Sequence, residues 1–383
     1  MTQHVPLTQI GGEAGSRHRL NTPALVLDLD AFESNVRAMA EACRGFGIGM
    51  RPHAKTHKSS MIARRQIEAG ALGICCATLD EAEVMAQAGL PGLLITAPVV
   101  SAEKIARFLH LVRSAPDAMV IVDNPANVAA LDRAAGDAGQ RLNVIVDLDI
   151  GNHRTGVQTT ADAVRLVADI AGRSHLAFAG LQAYGGQLQH ISDHTVRLER
   201  THSADELIRK TVADLTAGGL RPAIVTGAGT GTHRIDGKDG PFTELQVGSY
   251  IFMDADYSDV EYEPGHEWPF RFALFVQGMV ISTNAPGTVT VDAGTKAFAL
   301  NGPKPRVRSG PLTGAVYEFA GDEHGRLLLA DGMPRPEIGT RVEFIVPHCD
   351  PTVALYDAYH GVRGDQLVEM WPVDARGRAS GLR

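Results

Sequence analysis

The sequence predicts an α/β chain in which a TIM (β/α)8 barrel is followed by a smaller, mainly antiparallel β-domain. Three observations lead there. Between about residues 23 and 257, eight short apolar runs alternate with helical patterns. Each run is rich in Val, Ile, Leu or Ala, as parallel strands covered on both faces should be. After about Tyr257 the texture changes to β-rich segments parted by Gly and Pro.

In chain order the candidate strands are Ala24–Leu29, Gly47–Arg51, Gly73–Ala77, Gly92–Thr96, Ala118–Val122, Leu142–Asp147, Phe178–Ala183 and Ala223–Val225. Helices fall between them. Asp30 is the expected N-cap of the first, ahead of FESNVRAMAEACRGFG. Ser101 with Lys104 opens one through IARFLHLVR, Pro125 begins another, Thr160 leads ADAVRLVADIAGR, and a longer helix spans Val196–Ala217. Taken alone, this alternation also fits an open doubly wound sheet. The tail contains WPFRFALFVQGMVIST, GTVTVDAG, GAVYEFAGD, GRLLLA, TRVEFIVP and QLVEMWPV, with no helix of length. The expected division is a barrel over 23–257 and a β-domain over 258–383, with residues 1–22 packing on the latter.

A chain of 383 residues with 44% hydrophobic content has ample material for a large core. A net charge of -8 with no basic block argues against nucleic acid or an anionic membrane as partner. Apolar runs such as GLLITAPVV fall well short of the roughly 20 residues that span a bilayer. The N-terminus lacks the basic-then-apolar order of a signal peptide. Cys43, Cys75, Cys76 and Cys349 show no zinc-knuckle spacing. A reduced, cytoplasmic protein is the simplest expectation.

Five segments carry candidate chemistry. In Arg51-Pro52-His53-Ala54-Lys55-Thr56-His57-Lys58, at the end of the second candidate strand, Lys55 stands among basic neighbours. Burial and like charges lower an amine's pKa and make it a Schiff-base nucleophile. The same string fits a solvated basic loop. Thr226-Gly227-Ala228-Gly229-Thr230-Gly231-Thr232 follows the eighth candidate strand, where barrels commonly hold phosphate. Gly248-Ser249-Tyr250 would complete such a cup, although a Gly-rich loop is also an ordinary turn. In GNHRTGV, Arg154 can donate to the phenolic oxygen of a pyridine cofactor or to a substrate carboxylate, or simply hold a salt bridge.

In GLQAYGGQLQH, Tyr184 and His190 project from the same face, and His190 is a candidate general base. The alternative is a loop histidine satisfied by backbone. In Pro347-His348-Cys349-Asp350-Pro351-Thr352, an extended backbone would point His348 and Asp350 to one side and Cys349 to the other. His plus carboxylate suits Mg²⁺, Mn²⁺ or Zn²⁺, with water or substrate filling the remaining positions. The alternative is a strand His–Asp pair without metal.

In this order, RPHAKTHK, GICCATLDEAE, GNHRTGV, GLQAYGGQLQH, TGAGTGT, TELQVGSYIFMDADY, VDAG, DEHG and HCDPT resemble the D-threonine aldolase and D-serine dehydratase family. That family comprises fold-type III pyridoxal-phosphate (PLP) enzymes related to alanine racemase, and the resemblance spans nearly the whole chain. It implies PLP on Lys55, Arg154 at the cofactor's phenolic oxygen, and a phosphate site from Thr226, Gly227, Ala228, Gly248, Ser249 and Tyr250. It implies Tyr184 and His190 as active-site side chains and His348 and Asp350 as metal ligands. Gln246 corresponds in place to the residue facing the pyridine nitrogen; a neutral amide there would fix a ring proton less firmly than a carboxylate and moderate the electron sink. Asp350, where the dehydratase branch has cysteine, resembles the aldolase branch and favours Mn²⁺ or Mg²⁺.

The resemblance thus implies cleavage of a D-3-hydroxy amino acid to glycine and an aldehyde by a homodimer whose β-domains reach their neighbours' barrels. Dehydration with release of ammonia is the rival reading, and a non-enzymatic PLP-binding barrel is another. Three departures stand out: Ala228 in place of glycine, Thr155 in place of cysteine, and Ala77 in place of glutamine.

Overall fold

The computed structural model describes residues 11–308 and 310–377. Residues 1–10, which bear on the leader expectation, lie outside that range, as do Ser309 and the final residues 378–383.

Seventeen strands form two sheets among the described residues. The first nine are β1 Ala24–Asp28, β2 Gly49–Met50, β3 Cys75–Cys76, β4 Leu94–Ile95, β5 Met119–Val122, β6 Leu142–Asp147, β7 Leu176–Ala183, β8 Ile224–Gly227 and β9 Glu244–Leu245. Strands β2 to β9 are all parallel, in the order β2-β9-β8-β7-β6-β5-β4-β3. A parallel bridge between His53 and Cys75 joins β2 to β3, so the sheet curls round on itself as a TIM-like barrel. Strand β5 reads MVIV and is buried throughout, which is the demand of a sheet covered on both faces.

One strand is placed differently from the sequence expectation. Ala24–Asp28 is not in the barrel: it pairs antiparallel with residues 274–277 of the tail and parallel with residues 360–362. The barrel's last strand is instead Glu244–Leu245, two residues too short to register as a periodic run. Each motif therefore sits one barrel strand earlier than expected, with RPHAKTHK after the first and TGAGTGT after the seventh.

Local signals set the helices. Asp28, not Asp30, caps Leu29–Phe46 by accepting from the Ala31 N–H, and Gly47 ends that helix in the left-handed conformation at φ 73°. Ser101, Asn124, Thr159 and Asp193 cap Ala102–Ser114, Pro125–Asp137, Thr160–Ala171 and His194–Ala217. No helix is long and apolar enough to cross a membrane among the described residues. All four cysteines are buried and unpaired.

The second sheet comprises β1 with β10 Leu274–Ser282, β11 Thr288–Val291, β12 Arg306–Val307, β13 Val316–Phe319, β14 Gly325–Leu328, β15 Arg341–Ile345, β16 Ala358–Arg363 and β17 Gln366–Pro372. Its order is β13-β14-β11-β10-β1-β16-β17, with β15 also on β10 and β12 on β15. All its pairings are antiparallel except β1 with β16. The preceding segment lies along it: Gly12 N–H donates to Leu367 C=O at 2.8 Å and Arg17 N–H to Asp365 C=O at 3.0 Å. This sheet is fastened to the loop after β2. Tyr359 Oη donates to the His57 carbonyl at 2.6 Å, and Ala375 N–H donates to the Lys58 carbonyl at 2.9 Å.

Candidate active site

The loop after β2 sorts its basic residues by partner. Arg51 is buried and makes a bidentate pair with Glu244 at 2.7 and 2.8 Å. Removing one member of such a pair costs about 3–5 kcal/mol, so Arg51 is a structural residue of the barrel floor. Lys58 turns away to Glu81 at 2.8 Å. His53 is held neutral by burial and by Lys55, and accepts the Lys55 N–H at Nδ1. Its Nε2 lies 3.1 Å from Thr96 Oγ1. His57 is pushed down to about 3 by burial and the nearby Lys58 charge.

Lys55 is thus not crowded by cations, contrary to the expectation from its neighbours in sequence. Its Nζ lies 2.8 Å from Asp350 Oδ2, and that carboxylate raises its pKa. Burial would lift the pKa of Asp350, but Lys55 and then His348 pull it well below the usual carboxylate range. As paired with Asp350, Lys55 is held as an ammonium, and a nucleophilic amine requires that this pair be broken.

Lys55 opens on a cavity of about 240 Å³ lined also by His53, Thr96, Arg154, Thr155, Tyr184 and Gln246. The Arg154 guanidinium stacks over the Tyr184 ring, 5.4 Å from its centroid. Asp149 organises the Arg154 loop by accepting from the N–H groups of Gly151, Asn152 and His153. Gln246, at the end of β9, is buried and donates to Gln182 Oε1 and Thr226 Oγ1 at 3.0 and 3.1 Å.

The glycine loop is built on Gln189. A Cβ at Gly229 would meet its side chain at 2.5 Å, and one at Gly231 would meet its carbonyl at 2.0 Å. Gly231 N–H donates to Gln189 Oε1 at 2.9 Å. Ala228 adopts φ 59°, a conformation costing an L-residue about 1–2 kcal/mol, which explains why glycine is expected there. Ser249 and Tyr250 lie in a short 3-10 turn after Gly248, whose own Cβ would strike Thr56 Oγ1 at 2.6 Å. The Tyr250 phenol points into the core and accepts from Gln66 at 3.0 Å, while its N–H is taken by Thr230. Tyr250 therefore presents no free phenol to a phosphate.

The His348–Asp350 segment is not extended, as assumed from sequence. Cys349–Val353 is a short helix with His348 at its N-cap. His348 Nε2 and Asp350 Oδ1 nevertheless approach to 3.9 Å, and Cys349 is buried beside them with Sγ 3.5 Å from the same oxygen. Asn301 lies 2.8 Å from His348 Nδ1. Asp254 fixes the segment by accepting from Cys349 N–H at 2.9 Å, and burial raises its pKa. Among the described residues, no group of three or more His, Cys, Asp or Glu side chains is placed to hold an ion. One imidazole nitrogen and one carboxylate oxygen fit a cation bound through two protein ligands with other positions open.

His190 is not satisfied by backbone. Its Nδ1 lies 3.3 Å from Asp256 Oδ2, its ring packs 4.4 Å from that of Tyr257, and burial lowers its pKa. Asp350 and Lys55, one from the tail and one from the barrel, meet within one chain.

A family model described as "Alanine racemase, N-terminal domain" matches residues 27–256, and another described as "Putative serine dehydratase domain" matches 273–362. A 3-hydroxy-D-aspartate aldolase of Paracoccus denitrificans (strain Pd 1222) is 36% identical over 94% of this chain and 93% of its own. A D-threonine aldolase of Arthrobacter sp is 36% identical over the same shares. The chain belongs to the D-threonine aldolase and D-serine dehydratase family. The crystal structure of D-threonine aldolase from Filomicrobium marinum superposes with a TM-score of 0.90 at 40% identity, covering 94% of this chain and 97% of that one.

Within this family frame, two of the three departures noted in sequence line the Lys55 cavity, Ala77 and Thr155. Several site residues went unnoticed in sequence. Asp254 carries a usable signal, an acidic N-cap before the Ala255–Ser258 turn. Asp256 follows in the same turn. Gln182, Gln189 and Asn301 carry none, because an amide's role depends on partners distant in the chain.

Proposed function

We propose that this protein is a lyase that cleaves D-3-hydroxy amino acids of the D-threonine type to glycine and an aldehyde. The observation that carries the reading is the placement of Asp350 directly against Lys55, with His348 beside that carboxylate as the second member of a hard-ion donor pair. The residues present fit both groups the family uses. Lys55 lines a cavity together with Arg154, Tyr184 and Gln246, and in this reading the loops bearing Thr226, Gly227, Ala228, Gly248 and Ser249 would hold the phosphate. PLP, bound through Lys55, supplies an electron sink for the pair released as Cα–Cβ breaks. A divalent cation, Mn²⁺ or Mg²⁺, would be held by His348 and Asp350 and would supply a Lewis acid for the β-hydroxyl.

The remaining work falls to the chain itself. Asp256 orients His190 through Nδ1, which leaves Nε2 as the base that takes the hydroxyl proton. Lowered by burial, His190 is neutral and proton-accepting at pH 7. Arg154 and Tyr184, stacked together, offer a cation and a phenol to the phenolic oxygen of the ring. Asp254 holds the His348–Asp350 turn at the mouth by capping it, so the hydroxyl end of the substrate meets the β-sheet side of the site. Two such chains form a homodimer in this reading, which light scattering after size exclusion measures.

A direct assay tests the function. Purified protein with PLP and Mn²⁺ is given a panel of D- and L-3-hydroxy amino acids. Glycine and an aldehyde from the D series are expected. Ammonia and a keto acid would assign the dehydratase branch, and cleavage of the L series would remove the stereochemical assignment.

A further inference from the structure

Four buried side chains are linked across the C-terminal ends of neighbouring barrel strands. Asp147, Gln182 and Thr226 are direct neighbours in the registers of β6, β7 and β8, and Gln246 stands just past the end of β9. All four are under 5% exposed, so water does not compete for their hydrogen bonds. Asp147 is the fixed point. A carboxylate only accepts, so Gln182 must turn its NH2 toward Asp147 Oδ1, at 2.9 Å. The other oxygen of Asp147 is closed by the Thr155 hydroxyl at 2.6 Å. Burial raises the pKa of Asp147, and these two bonds act against that rise.

With its NH2 committed, Gln182 faces Gln246 with Oε1. Gln246 must answer with its own NH2, one hydrogen to Gln182 Oε1 at 3.0 Å and the other to Thr226 Oγ1 at 3.1 Å. Turning either amide over would set oxygen against oxygen in a buried site, which costs roughly 1–3 kcal/mol per unsatisfied group. Gln246 thus has no hydrogen left for the cavity it lines and presents Oε1 there.

We propose that Asp147, acting through Gln182, sets the polarity of Gln246, so that its carbonyl oxygen accepts a hydrogen bond from a protonated ring nitrogen of the bound cofactor. This rests on the PLP reading above. A ring joined at its aldehyde carbon to Lys55 carries its nitrogen at the para position, on the side away from that lysine. Gln246, 4% exposed, lines the deep side, whereas the Lys55 side chain is 39% exposed at the mouth. The proton makes the ring a fuller electron sink than a bare neutral amide at position 246 suggests. Asp147 and Gln182 are positioning residues, not catalytic ones.

The test is 15N NMR of the holoenzyme carrying ring-labelled PLP, at pH 7. Wild type should show a one-bond 15N–1H coupling, and Gln246→Leu should lose it while keeping bound PLP. Asp147→Asn should lose it too, because a side chain that can also donate lets Gln182 and Gln246 turn over. If that variant does not fold by circular dichroism, Gln182→Met, which cuts the relay, serves in its place. Coupling absent from wild type, or retained in Gln246→Leu, overturns the proposal while leaving the PLP reading standing. Coupling retained in a folded relay variant removes Asp147 from it. No bound PLP in wild type overturns the cofactor reading, and this proposal with it.

Discussion

Lys55 Nζ and Asp350 Oδ2 stand 2.8 Å apart although 295 positions separate them in the chain. The pair joins the barrel to the second sheet at the point where the chemistry is expected. It also means that one carboxylate serves two demands, neutralising Lys55 through Oδ2 and facing His348 through Oδ1.

Borohydride should fix PLP to Lys55 in the reconstituted protein, as peptide mass spectrometry reads. Lys55→Ala should show no fixed label and no visible absorbance. A reducible label at another lysine in that variant would reassign the attachment site.

EDTA should abolish cleavage and leave the PLP absorbance in place, since the proposed reading puts the cofactor on Lys55 of the barrel and the cation on His348 and Asp350 of the tail. Mn²⁺ should restore turnover. Asp350→Ala should keep PLP and lose turnover by roughly two orders of magnitude or more, the equivalent of a few kcal/mol of Lewis-acid stabilisation. Full activity in the chelated enzyme or in this variant would take the cation out of the reaction.

Asn301 should tune the cation site through His348. As placed, its amide donates to Nδ1, which puts the imidazole proton on Nε2. Ligation through Nε2 needs the amide turned over, with Oδ1 accepting from Nδ1–H. Asn301→Ala should weaken Mn²⁺ binding by about 10–100-fold in an EPR titration, and Asn301→Asp should restore it. Unchanged affinity in Asn301→Ala would leave His348 positioned by the backbone alone.

Asp205 should make stability fall with pH. Burial raises its pKa to about 7, against the weaker pull of Arg209. In the unfolded chain the carboxyl titrates near 3.9, about three units lower. The folded protein therefore binds the extra proton between these values, so stability declines as pH rises from about 4 and levels off above about 7. Asp205→Asn should flatten that slope and raise stability at pH 8 by about 1–3 kcal/mol relative to wild type. Urea denaturation at pH 5 and pH 8 measures it; equal slopes in both proteins would place the titration elsewhere.

Local chemistry was readable in the sequence. Buried runs such as MVIV at β5, and caps such as Ser101, depend on residues within a turn of one another. Lys55, Arg154, Tyr184 and Gln246 line one cavity because they follow the ends of parallel barrel strands, which open on one face. What failed was whatever depends on a distant partner. Ala24–Asp28 has the pattern of a barrel strand, yet β10 and β16, far along the chain, claim both its edges. The short strand Glu244–Leu245 has no period to detect and exists because Gly49–Met50 and Thr226–Gly227 flank it.

Charge followed the same division. From sequence, RPHAKTHK is a cationic cluster that should depress the pKa of Lys55. The tertiary structure gives Arg51 to Glu244, Lys58 to Glu81 and Lys55 to Asp350, and so reverses the sign. The sequence by itself determined which residue types stand at the barrel mouth. Only the tertiary structure decided which charges cancel and which way each buried amide points. Electrostatic and hydrogen-bond energies depend on distance and orientation between groups that the chain order leaves far apart.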